Sequence, residues 1–171
     1  RIDERLIDLF EKKNRTIKFI SQKEKINETD FDNHLSIADL GKFLRYEKKQ
    51  FNNVVFPYIN ADEKISNKIR NKLSNKHKLL IGISWTSKAE MGQEKSIHYK
   101  NLIPIFKLKN TSFIDLEYNN SEEDKKNIQQ MTGKKIHRIN EIDYYNNILG
   151  VSSIINACDL IITCSNVNAH I

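Results

Sequence analysis

From residue 78 onward, short apolar runs alternate with longer amphipathic stretches. LLIGISW (79–85) is almost continuously apolar, the pattern of a strand buried on both faces. A polar loop, TSKAEMGQEKS (86–96), leads to the helical stretch YKNLIPIFKL (99–108) and then to the strand TSFIDLEY (111–118). NSEEDKKNIQQMTG (120–133) reads as a helix whose glycine falls where a C-cap belongs. KIHRI (135–139) predicts a strand, DYYNNILGVSSIINAC (143–158) a helix and DLIIT (159–163) a last strand. The order β-α-β-α-β-α-β predicts an α/β fold, a Rossmann-like parallel sheet with helices on both faces.

The first 77 residues are less regular. Ile2, Leu6, Leu9 and Phe10 stand at helical spacing and predict a helix over 1–13. TIKFIS (16–21) alternates and is rich in β-branched residues, which predicts a short strand. SQKEKINETD (21–30) is a loop, and FDNHLSIADLGKFLR (31–45) starts extended and turns helical near Ala38. QFNNVVFPYINAD (50–62) reads as a connector, followed by an amphipathic helix over 62–76 on Ile65, Ile69 and Leu73.

Composition narrows the function classes. Hydrophobic residues make up 39% of the 171, enough for a sizeable core. No apolar stretch approaches a membrane span and the N-terminus carries no signal-peptide pattern, which leaves peripheral membrane contact open. The net charge of +6 raises the question of nucleic acid. However, 22 of the 28 basic residues are lysine, and they alternate with glutamate, as in SEEDKK, instead of clustering as arginine. Nucleic acid is therefore set aside as a partner. Cys158 and Cys164 flank one extended strand, too far apart for a disulfide, and suit a cytoplasmic location. Position 1 is arginine and the first methionine is Met91, so the expectation is a fragment.

Ligands of open parallel sheets bind beyond the carboxyl ends of the strands. After 81–83 come Ser84, Thr86, Ser87, Lys88, Lys95 and Ser96, with Gly92 adding backbone freedom. Hydroxyls, amides and a lysine near a helix N-terminus can hold a phosphate, although neither dinucleotide nor Walker glycine spacing is present. After DLIIT, Ser165 or Asn166 can cap a helix beginning near Val167, with His170 one turn in. Glu117 either meets a ribose hydroxyl or merely ends its strand, and Glu141 and Asp143 are equally open. Asp30-Phe31-Asp32 is an acid-x-acid pattern outside the regular region and is not taken as a metal site; the five histidines and two cysteines show no zinc spacing.

Taken in order, GISW, a polar loop ending in Lys95-Ser96-Ile97, a helix, FIDLEY and DLIITCSNVNAH resemble the C-terminal half of a GT-B glycosyltransferase of the heptosyltransferase-like group. Bacterial members of that group are often fused to tetratricopeptide repeats and distantly resemble protein O-linked N-acetylglucosamine transferases. RIDERLIDLF and FDNHLSIADLGKFL are similar to the group's elements closing the N-terminal domain. The resemblance implies that 1–57 end an acceptor-side Rossmann-like domain with its linker. It implies that 58–171 form an incomplete nucleotide-sugar-binding domain. The implied donor is a nucleoside-diphosphate sugar, used without cofactor or metal and transferred to a glycan or protein acceptor. Lys95 and Ser96 would neutralise the diphosphate, and Trp85, Thr86 and Ser87 would line the crevice with backbone and hydroxyl donors. Thr163, Ser165 and Asn166 would form the phosphate-facing turn, with His170 supporting sugar or phosphate.

The chain departs from the group's pattern at Ser36, Asp39, Lys88 and Ala89. The group's general base is expected upstream of Arg1, so no catalytic residue is named and the 171 residues are expected to be inactive alone. The alternative reading is a non-catalytic relic or binding module retaining the fold; a basic nucleic-acid-binding domain ranks below both, because the lysines are interspersed with glutamates.

Overall fold

The computed structural model describes residues 1–11, 16–52, 59–73, 78–88, 92–119 and 121–171. The chain divides into two compact units, Arg1–Asn60 and Ala61–Ile171. The boundary expected between 57 and 58, much of the connector, His77, Ala89 and Met91 lie outside the described residues.

The first unit is built from short pieces. Asp3 caps a 3-10 turn, Glu4–Leu6, by accepting from the Arg5 amide at 3.0 Å, and the turn runs into α1 (Ile7–Glu11). Further along come 3-10 turns Glu28–Asp30 and Lys48–Phe51 and helix α2 (Leu40–Leu44). The strand expected over 16–21 is not formed. A single parallel bridge joins Ile2 to Ser21, with Ile2 N donating to Ile20 O at 2.9 Å. A strand needs a ladder, and β-branched composition alone does not supply one; Ile17 is 55% exposed. Phe43, Leu44 and Tyr46 are also exposed.

The second unit carries the regular pattern. Its elements are α3 (Glu63–Leu73), β1 (Leu79–Ser84), α4 (Gly92–Lys95), α5 (Ile103–Phe106), β2 (Thr111–Asp115), α6 (Glu122–Thr132), β3 (Ile136–His137), α7 (Ile148–Ala157) and β4 (Leu160–Thr163). The four strands form one all-parallel sheet in the order β3-β2-β1-β4. This order matches the first four positions of a doubly wound Rossmann-like sheet, 3-2-1-4, one half and the first strand beyond it. Strand order reverses between β1 and β4, which makes their carboxyl ends the topological switch point. Several elements differ from expectation: α4 sits inside the segment that reads as loop, the stretch 99–108 opens with a 3-10 turn (Tyr99–Leu102), β3 is limited to Ile136–His137, and α7 begins at Ile148 instead of Asp143.

Side chains alternate across β1, so each face has its own core. Leu80 packs with Ile69 of α3 and Val151, Ile154 and Ala157 of α7. Ile81 and Ile83 pack on the other face with Phe113, Ile103 and Phe106 of α5, and Ile128 of α6. Small polar residues bring α3 and α7 together: Ser66 Oγ donates to Ser153 O and Ser153 Oγ accepts from Asp62 N. Arg70 donates to Ala157 O at 2.9 Å, filling a terminal carbonyl of α7, and pairs with Asp159 at 2.6 Å. Gly133 ends α6 at φ 69°, in the left-handed region where a Cβ is penalised. Among the described residues no helix is long and apolar enough to cross a membrane.

Phe113 is fully buried and meets the Phe106 ring edge-on at 4.9 Å. Phe113→Ala should lower unfolding stability by about 3–5 kcal/mol, read from denaturant midpoints. A loss below ~1 kcal/mol would contradict this packing.

Candidate functional site

The pairing of β1 with β4 places Ser84 opposite Thr163. Their hydroxyls are 2.7 Å apart, and the chain continues from them into residues 85–88 and 164–170. The two polar segments singled out in the sequence therefore leave the sheet side by side.

A closed hydrogen-bond network fills the gap between them. Asn166 Nδ2 donates to Ser84 Oγ at 2.9 Å and to Thr86 O at 3.2 Å. Asn168 Nδ2 donates to Ser84 Oγ at 3.2 Å and to Leu116 O at 2.9 Å. Ser84 Oγ thus accepts twice, so its one hydrogen goes to Thr163 Oγ1. The Thr163 hydroxyl is left to donate to Asn166 Oδ1 or Cys164 O, both at 3.0 Å. Asn166 Oδ1 also accepts from Asn168 N at 3.0 Å, capping the 3-10 turn Val167–Ala169. Three strand ends are tied by this set. Asn168, 5% exposed, was not singled out in the sequence because its partners lie 52 and 84 residues away.

Next to the network sits a buried carboxylate. Glu117, two residues past β2, accepts from Trp85 N and Thr86 N on Oε1 and from Thr86 Oγ1 on Oε2. It turns toward β1 and is fully buried, so it does not reach out as a ribose acceptor would. Burial pushes its pKa up; the Thr86 hydroxyl and the two amides pull it down, and Asp115 adds to the rise. Asp115 is also fully buried, and it accepts from Lys125 Nζ at 3.0 Å and Arg138 Nη1 at 2.6 Å. Arg138 Nη1 also donates to Glu117 O at 2.7 Å, with its guanidinium 3.9 Å from the Tyr144 ring centre. Burial opposes the charge on Lys125, but its bonds to Glu122 and Asp115 win and raise its pKa. A buried carboxylate on the strand before it was the one signal in FIDLEY: charges inside a fully buried run must be paired.

The other expected residues fall as follows. The Trp85 ring is buried in the α5–α6 face, its Nε1 donating to Asp124 at 3.1 Å, so its side chain does not line the crevice. Ser87 N donates to Ser96 Oγ at 2.9 Å, and Ser96 Oγ donates to Gly92 O at 2.6 Å. Ser96 thereby shapes the loop. Gly92 is required there, since a Cβ would stand 2.1 Å from Ser87 O. Lys95 is exposed at the end of α4, and no ion pair of it occurs among the described residues. Ser165 is exposed; His170 is exposed and closes the 3-10 turn by donating its amide to Val167 O at 3.0 Å. Asp30 accepts from Asn27 N at 3.1 Å, and no group of three metal-ligating side chains occurs among the described residues. Cys158 and Cys164 are free thiols; burial pushes Cys158 up to about 12.

No known protein family's model, no curated protein and no solved structure matches this chain.

Asn168→Ala removes two bonds and strands Leu116 O, and should cost about 1–3 kcal/mol of unfolding stability. Because the folded chain raises the pKa of Glu117, it holds that proton more tightly than the unfolded chain does. Stability from this group is therefore full below the ordinary glutamate value and falls as pH rises through the raised folded value. Denaturant midpoints across pH should show that decline in the wild type and lose it in Glu117→Gln; identical profiles would contradict the assignment.

Proposed function

We propose that the second unit is the donor-binding part of a metal-independent glycosyltransferase of GT-B type. It would bind a nucleoside-diphosphate sugar over the carboxyl ends of β1 and β4 and pass the sugar to a glycan or protein acceptor. The observation that carries this reading is the Ser84–Thr163 register, which sets the two polar strand-end segments next to each other at the switch point. The sequence resemblance supports it from a separate direction, since the same two segments carry its motifs.

In this reading the 84–163–166–168 network is the rigid floor, and the ligand's charge is met above it. Lys95 supplies an exposed cation, Ser165 a hydroxyl, and the amides of Ser165 and Val167 have no acceptor among the described residues. Negative charge grows on the leaving diphosphate as the glycosidic bond breaks, and fixed donors with a lysine stabilise it. His170 lies on the same segment and would contact sugar or phosphate. The catalytic base would come from elsewhere in the enzyme, so binding rather than turnover is the test for these 171 residues. A cytoplasmic setting belongs with this reading, and the two free thiols suit it.

A second reading, a non-catalytic module retaining the fold, is favoured by one observation: the amides of Trp85 and Thr86 already have an acceptor in Glu117.

Titration with a panel of nucleoside diphosphates should reveal one preferred base. Lys95→Ala should weaken that binding by about 1–3 kcal/mol, the scale of a charge-assisted bond. Unchanged affinity would remove Lys95 from the site, and no binding to any member of the panel would favour the second reading.

A further inference from the structure

We infer that Glu117 is the built-in occupant of an anion cradle made by the amides of Trp85 and Thr86 and the Thr86 hydroxyl, so that a diphosphate enters only when Glu117 leaves it carrying a proton. This rests on the donor-site reading above and adds a gate to it.

The donor set has the form that binds an anion. Two consecutive amides just past a strand end converge on one oxygen, and a hydroxyl takes the second. These donors stand at the switch point, beside Asn166, whose Nδ2 holds the Thr86 carbonyl at 3.2 Å. A phosphate oxygen and a carboxylate oxygen ask for the same donors, and two anions do not share one cradle.

Glu117 is held there by neutral groups alone. The cations nearby are committed to its neighbour: Lys125 of α6 and Arg138 after β3 both pair with Asp115, and Arg138 reaches only the Glu117 backbone carbonyl. Among the described residues no salt bridge is made by the Glu117 carboxylate. The other charged or titratable groups around it do not favour its charge. Asp115 accepts the Glu117 amide at 2.8 Å, Asp124 of α6 holds the Trp85 indole, and the Cys164 thiol after β4 rises in pKa partly because Glu117 is near. Burial raises the pKa of Glu117 in the same direction. A proton taken from solvent turns the carboxylate into a neutral acid. That weakens its hold on the two amides and the Thr86 hydroxyl and removes its repulsion of an incoming anion.

The test is the affinity of the 171-residue chain for UDP-glucose, GDP-mannose and ADP-glucose across pH. These are diphosphate diesters whose charge stays constant over the range. For the best of them, wild-type affinity should fall as pH rises above the folded value of Glu117, approaching about tenfold per pH unit. Calorimetry in buffers of different ionisation enthalpy should show uptake of about one proton per ligand. Glu117→Gln keeps an acceptor oxygen for the amides without the charge; it should bind at high pH as tightly as the wild type does at low pH, with a flat profile. His170 is the same in both proteins and cancels in the comparison. Proton uptake by the wild type alone keeps the test decisive if the variant does not fold. Equal affinities and equal pH profiles for the two proteins, without proton uptake, would overturn the gate and leave the donor site standing. Absence of binding by either protein at every pH would overturn the donor site and the gate with it.

Discussion

Where β1 leaves the sheet its backbone loses the ladder, and its amides must find acceptors inside the protein. Everything at the carboxyl end of the second unit follows from how that requirement is met. Glu117 takes the amides of Trp85 and Thr86, and Asn166 takes the Thr86 carbonyl. Ser84 ties both asparagines to β1, while Asn168 carries the link to β2 at Leu116 O. These bonds fix the positions of the two loops.

This arrangement trades openness for rigidity. A floor in which Ser84 uses its one hydrogen and both lone pairs has no spare valence for a ligand. In the proposed donor site, the groups left to meet an anion while Glu117 holds the Trp85 and Thr86 amides are Lys95, Ser165 and the amides of Ser165 and Val167. A fully satisfied buried network also specifies a unique geometry, which a site for a charged ligand needs. The ion cluster of Asp115, Lys125 and Arg138 serves a neighbouring purpose. It neutralises the one carboxylate of β2 that faces the core, and it leaves Glu117 with donors but no cation.

Much of this fold was legible in the sequence. LLIGISW and TSFID announced strands because a parallel sheet buried on both faces needs near-continuous apolar runs, and DLIIT, half-buried at the end of the strand order, was legible from its β-branched run. Gly133 marked the end of α6 for a local reason, its left-handed backbone. TIKFIS misled, because alternation predicts a strand only if a partner strand exists, and Ile2 supplies a single bridge. The site was legible as two segments but not as a network. Ser84, Thr163 and Asn166 could be placed at strand ends from local pattern, whereas the inward turn of Glu117 and the reach of Asn168 are decided by residues 31 or more positions away. Ser96 shows the same limit: its loop-holding bonds with Ser87 N and Gly92 O depend on how the 87–96 loop folds back, which no local pattern displays.

The central claim is that the crevice over β1 and β4 receives a nucleoside diphosphate. Backbone amide NMR of the 171-residue chain, with and without saturating ligand from the nucleoside-diphosphate panel, tests it most directly. The account predicts shifts concentrated at residues 85–88, 95–97 and 164–170. Shifts scattered over the lysines of α3 and α6, or none at all, would contradict it.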